Sequence, residues 1–70
     1  MEPPTALENI RTILNTLGVT LEHVKMVIFW KSMGEVDLYT AGYVRTFRGD
    51  NPEVLVDLLL MQNVAVEIME

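Results

Sequence analysis

Lys25 and Lys31 come closest, by residue type and spacing, to forming a binding site. They occupy one face of a predicted strand, alternating with Val27 and Phe29. If that face borders a cleft, two cations in line can bind an anionic ligand. If it faces water, they are ordinary solvated lysines. No Lys or Arg follows Arg48, so the last third of the chain has no fixed cation of its own.

The other side chains that could bind a metal or act as a nucleophile lack partners at the spacings that such sites need. His23 is the only histidine and there is no cysteine, so the sequence predicts neither a metal site nor a disulfide. Ser32 has no His or acid at a spacing typical of a nucleophile, and it fits a helix cap better. No phosphate-binding loop or paired-acid motif is present, and we expect no cofactor.

Composition limits the remaining possibilities. Seventy residues predict one domain, 1–70. A domain of this size has a small core, which cannot bury all the apolar surface of a chain that is 50% hydrophobic with a mean hydropathy of +0.27. We therefore expect an apolar surface that faces a partner, most simply copies of the same chain. The net charge of −5 argues against nucleic acid and anionic membranes as partners. No signal peptide or membrane-spanning stretch is recognisable, which predicts a cytosolic protein.

The first half of the chain has clear local signals. Thr5 and Glu8 fit a capping box at the start of a helix over 6–17, and Gly18 fits its end. A short turn at 20–23 precedes a strand over 24–31. This strand is apolar on both faces, which predicts a helix on one side and another chain or sheet on the other.

The second half has local signals that conflict. Ser32 is predicted to cap a second helix, because Val36, Tyr39, Tyr43 and Phe47 recur at helical spacing. The chain breaks at 49–52. Residues 54–61 are predicted to form either a helix or a buried strand. The Asn-Pro-Glu before them favours a helix start, whereas their Leu-rich run fits a buried strand equally well. A strand over 64–69 follows, with Glu67 as its one polar interruption.

In order, these segments resemble the RidA/YjgF family of enamine/imine deaminases. The resemblance covers nearly the whole chain from Ala6, and no single motif in it is specific. The residues that carry it are Ala6-Leu7-Glu8-Asn9-Ile10, Leu14 to Gly18, the stretch 21–29, Met33, Glu35, Val36, Tyr43, Asn51-Pro52 and Val66-Glu67-Ile68.

The resemblance implies an α+β fold of the chorismate-mutase-like, ferredoxin-like kind, with a sheet backed by two helices. It favours a strand for 54–61. Only 1–5 precede the first helix, so the chain reads as a partial domain that lacks the family's N-terminal strands. The resemblance also implies a homotrimer, or co-assembly with full-length relatives. A small anionic metabolite would then bind in the clefts between subunits, in a role of metabolite damage control.

The family's activity is hydrolysis of 2-imino acids to 2-keto acids and ammonia. By resemblance, Glu67 matches the glutamate that positions water, Val54 falls where an arginine binds the substrate carboxylate, and Thr40 falls where the family has an asparagine. Valine cannot balance a carboxylate, so we expect impaired activity. Lys25 and Lys31 remain candidates for holding the anion. The alternatives are that Glu67 is a solvent-facing strand residue and that the chain is a non-catalytic binding or assembly module.

Overall fold

The structure is a computed structural model that describes residues 5–70. It has an α+β fold, as the sequence predicts, with two helices and four strands. The elements in chain order are α1 (Ala6–Thr16), a short 3-10 turn (Leu21–His23), β1 (Met26–Trp30), β2 (Glu35–Tyr39), β3 (Val44–Arg48), α2 (Pro52–Met61) and β4 (Val66–Met69).

The four strands form one mixed sheet in the order β3-β2-β1-β4. Two successive hairpins make β1, β2 and β3 antiparallel neighbours. Helix α2 then carries the chain back across the sheet, so that β4 pairs with β1 in parallel. A parallel pair needs such a crossover, because a tight turn can join only antiparallel strands.

Helix α1 begins where its sequence predicts. The Thr5 hydroxyl accepts a hydrogen bond from the Glu8 amide at 3.1 Å, and the Glu8 carboxylate accepts one from the Thr5 amide at 3.4 Å. This capping box satisfies two amides that have no partner inside the helix. The helix ends at Thr16, with Leu17 as its cap, and Gly18 adopts the predicted left-handed conformation at φ +71°.

The predicted second helix after Ser32 is wrong, because this segment is the hairpin of β2 and β3. Gly34 lies in a left-handed conformation at φ +66° and closes the turn between β1 and β2. Beyond it, Val36 and Leu38 alternate with polar residues and are fully buried. This period of two decides the structure, because it places both apolar side chains against the helices.

The strand that the resemblance favours for 54–61 is also wrong. Residues Pro52–Met61 form α2, with Asn51 as the cap and Pro52 at the first turn, as the local signals indicate. Leu55, Val56 and Leu59 are buried, whereas their neighbours Val54 and Leu60 are each 49% exposed. Burial at steps of one, three and four residues is the pattern of a helix that packs on one side. The predicted final strand is confirmed over Val66–Met69.

Both helices pack on the same face of the sheet and enclose a single core. Among the described residues no polar side chain is buried, so this core is held by apolar packing alone. None of the helices within 5–70 is long and apolar enough to cross a membrane. The buried residues are Ile10, Leu14, Val19, Val27, Phe29, Val36, Leu38, Leu55, Val56 and Leu59.

Candidate functional site

The face of the sheet that points away from the helices is here called the open face. Its members follow from alternation, because each lies next to a residue of the core face and must point the opposite way. No element of the described chain packs over it. It consists of Met26, Ile28 and Trp30 on β1, Glu35, Asp37 and Tyr39 on β2, Val44, Thr46 and Arg48 on β3, and Glu67 and Met69 on β4.

The centre of the open face is apolar. Strand β1 has neighbours on both sides and presents Met26, Ile28 and Trp30 in a row. The register places Tyr39 beside Met26 and Met69 beside Trp30, which extends the apolar area onto β2 and β4. A sheet face in contact with water normally alternates to polar residues at these positions. The row on β1 is therefore apolar where a strand that faces water would be polar, and its middle residue, Ile28, lies between Asp37 and Glu67 in the register.

Asp37 forms a hydrogen-bonded cluster within the open face. Its Oδ2 accepts a hydrogen bond from the Trp30 indole N–H at 2.9 Å, and its Oδ1 accepts one from the Thr46 hydroxyl at 2.8 Å. Three strands are thus joined through one carboxylate. The indole N–H needs a partner if the ring is to be buried, and Asp37 supplies it from within the chain. A partner can therefore cover Trp30 without leaving its donor unpaired.

The rim of the open face is charged. Arg48 Nε donates a hydrogen bond to Glu35 Oε1 at 3.0 Å, and the Arg48 side chain is 73% exposed. Glu67 lies on β4 beside Ile28 and is exposed. An apolar centre rich in aromatic residues and methionine, with a polar rim that includes arginine, is typical of protein–protein interfaces.

Two of the predicted ligand-binding residues, Lys25 and Thr40, come together at one end of the sheet. They line a groove of about 300 Å³ beside the turn between β2 and β3. The Thr40 hydroxyl donates to the Tyr43 carbonyl at 3.0 Å and accepts from the Tyr43 amide at 3.2 Å. The described contacts of Thr40 therefore close a turn. The Lys25 ammonium is the cationic group in the lining of this groove.

The same groove is bordered by Glu22, whose carboxylate binds Arg11. Arg11 Nη1 donates to Glu22 Oε1 at 2.9 Å, and Nη2 donates to Oε2 in the same bidentate pair. The hydrogen bonds from Arg11 lower the pKa of Glu22 to about 2. This pair ties the turn after α1 back to the helix, so it has a structural role independent of any ligand.

The remaining predicted residues lie apart from that groove. Lys31 lines a second groove of about 290 Å³ between α2 and the sheet, here called the β4 groove. Val54 lies on the outer side of α2 and lines neither groove. Glu67 points to the open face, so within one chain the sheet separates it from Val54 and α2. A site that uses both residues would have to combine them from different subunits.

Asp37 is the residue that sequence reasoning missed. Its partners Trp30 and Thr46 are seven and nine residues away, and only the register of two hairpins brings them together. The signal was present as the alternation Glu35-Val36-Asp37-Leu38, which is typical of a half-buried strand. The helical spacing of Val36 and Tyr39 obscured it.

Within 5–70, no group of three or more His, Asp or Glu side chains is arranged to hold a metal ion. No protein-family model, no curated protein and no solved structure matches the chain. The open face and the two grooves are therefore the features on which a function can be argued.

Proposed function

We propose that this chain is a non-catalytic assembly module that associates with copies of itself through the open face. The observation that carries the proposal is the row Met26, Ile28 and Trp30 on the outside of a strand with neighbours on both sides. Met26 is 37% exposed and Met69 39% exposed, so burying this area against a second sheet would stabilise the assembly through the hydrophobic effect.

The apolar row of the open face fits a second copy. A symmetric interface must be complementary to itself, and the row on β1 can pack against the same row of another copy. The charged groups around it have partners or solvent: Arg48 pairs with Glu35, Asp37 accepts from two donors of its own chain, and Glu67 lies on the edge strand. The cluster around Asp37 holds the Trp30 ring in place before association, which lowers the entropy lost on binding.

The experiment is the mass in solution of the wild type and of two lysine variants, measured by light scattering behind a sizing column. Ile28→Lys places a charge at the centre of the open face. Val54→Lys, on the exposed side of α2, is the matched control. We expect the wild type and the control at 16 kDa or more, at least twice the 8.0 kDa chain, and Ile28→Lys as a folded monomer. A monomeric wild type would refute the proposal.

The RidA-like deaminase and its chorismate-mutase-like trimer remain a second proposal, supported by the sequence resemblance. In that case Glu67 would position water and a subunit cleft would hold a small anionic metabolite near Lys25 or Lys31. A cytosolic location is also proposed, and the sequence predicts it independently of the resemblance. The test is hydrolysis of 2-iminobutanoate by the wild type, by Glu67→Gln and by Val54→Arg. Turnover that Glu67→Gln abolishes would support the deaminase. Equal rates with and without the protein would argue against it.

A further inference from the structure

The edge formed by β4 differs from the opposite edge of the sheet. Strand β3, at the far edge, carries Arg45 and Arg48, and charged side chains of this kind discourage further strand pairing. Strand β4 has no basic residue, and Ile68 on it is 55% exposed. Within residues 5–70, no strand pairs with β4 on its outer side.

The backbone of β4 has hydrogen-bonding groups that point outward. The carbonyls of Ala65 and Met69 face β1, where they accept hydrogen bonds from the Val27 and Lys31 amides at 3.0 and 2.8 Å. Because successive residues of a strand point their backbone groups to opposite sides, those of Val66 and Ile68 point away from β1. These groups are the ones that an added strand would pair with.

The β4 groove lies beside this edge on the helix side. Phe29, Val56, Leu60 and Ile68 form its apolar lining. Leu60 is 49% exposed, so an added side chain can reach the lining. A strand placed along β4 would direct every second side chain toward α2 and into this groove.

The charge around the groove selects the occupant. Glu53 and Asp57 of α2 line it, and Lys31 is the only base in its lining. Glu70 adds a further acid at the end of β4. Two copies of this chain meeting edge to edge would bring these acids together, which opposes self-pairing. A basic partner would instead meet charges of opposite sign.

We propose that the β4 edge and groove bind an extended segment of another protein, in which apolar residues alternate with Lys or Arg. The segment adds to the sheet as a fifth strand beside β4. Its basic side chains point toward α2, where their alkyl stems contact Leu60 and Ile68 and their charged ends lie near Glu53 and Asp57. Its apolar side chains point to the opposite side of the sheet, beside Met69. The interaction pairs with the backbone of the β4 edge and does not require assembly through the open face.

The experiment measures binding by fluorescence anisotropy with a labelled nine-residue peptide in which Val alternates with Lys. A peptide in which Val alternates with Glu is the control ligand. We expect only the Lys peptide to bind. Reversing two charges with Glu53→Lys and Asp57→Lys should weaken binding roughly tenfold at low salt, because each exposed charge pair contributes modestly.

A pair of alanine variants on α2 separates the groove from the rest of the helix surface. Leu60→Ala removes part of the groove lining, and Val54→Ala removes an equally exposed side chain outside it. We expect weaker binding for Leu60→Ala and unchanged binding for Val54→Ala. Circular dichroism confirms that each variant is folded.

Amide hydrogen exchange decides whether the peptide adds to the sheet. The Val66 and Ile68 amides should exchange more slowly when the Lys peptide is bound. Binding with no such protection would mean a nonspecific attraction to an acidic protein and would overturn the proposal, as would equal binding of the Glu peptide or no binding at all. Ile28→Lys should bind the peptide as the wild type does, so this result does not depend on assembly through the open face.

Discussion

Leu59 and Leu60 are adjacent leucines of α2 that give the strongest test of the packing described here. Leu59 is fully buried in the core, whereas Leu60 is 49% exposed. Replacing a buried leucine by alanine removes its transfer free energy and leaves a cavity, at a cost of about 2–5 kcal/mol. The same change at an exposed position costs within about 0.5 kcal/mol. The two substitutions are chemically identical, so the difference reports burial alone.

The expected effect is large for a domain of this size. A stability of about 0.05–0.15 kcal/mol per residue corresponds to roughly 4–10 kcal/mol for the whole chain. Leu59→Ala would therefore remove a large part of the free energy of unfolding and lower Tm by roughly 10 °C or more, whereas Leu60→Ala would change Tm by less than about 4 °C.

Urea unfolding followed by circular dichroism at 222 nm measures the difference. If Leu59→Ala does not fold, Leu59→Val gives a smaller cavity, with a loss of about 1 kcal/mol. Equal losses at the two positions would refute the helical packing of α2. A larger loss at Leu60 would mean that the opposite side of this segment is buried, and the described core would be wrong.

Three further predictions test single features of the fold. Gly34→Ala should cost about 1–2 kcal/mol in urea unfolding, because alanine is strained at φ +66°, whereas Gly42→Ala should cost almost nothing; equal effects would contradict the turn geometry. The stabilisation from Glu22 and Arg11, present above pH 4.5, should be lost as pH falls toward 2, because folding lowers the pKa of Glu22. The Tm difference between wild type and Glu22→Gln should then shrink steadily as pH falls from 4.5 to 2, and a pH-independent difference would count against the pair. Asp37→Asn leaves one oxygen acceptor for two donors and should cost about 1–2 kcal/mol in the same unfolding assay, so no loss would contradict the cluster.

Local chemistry made the first part of the fold predictable. The capping box of Thr5 and Glu8, the stop at Gly18 and the β-branched run of β1 each act over a few residues. Such signals are readable because the residues that interact are close in the sequence. The final strand was predictable for the same reason.

Local periodicity did not predict the hairpin of β2 and β3, because two periodicities overlap there. Val36, Tyr39, Tyr43 and Phe47 fit a helix, and the alternation through Val36 and Leu38 fits a strand. Gly34 was the overlooked signal, since a glycine before an alternating run marks a turn. Residues 54–61 show the reverse case: local signals favoured the helix that forms, and the resemblance favoured a strand.

The candidate site depended on contacts that are distant along the chain. The apolar faces of the strand 24–31 predicted another chain or sheet on one side, but the contact of Trp30 with Asp37 required the register of a hairpin that the sequence did not reveal. Lys25 was grouped with Lys31 on one strand face, whereas the structure places Lys25 with Thr40 in one groove and Lys31 in the other. Long-range register, which local propensity does not encode, is therefore what sequence reasoning lacked.

The most direct test of assembly through the open face is the fluorescence of Trp30, the only tryptophan in the chain, across a dilution series. If copies associate through the open face, the emission maximum should lie at shorter wavelength at high concentration and move to longer wavelength as dilution exposes the ring to water. The shift should follow the fall in mass to 8.0 kDa. An emission maximum that stays constant while the mass falls would show that the copies meet elsewhere. A chain that is monomeric at every concentration would contradict the proposed assembly.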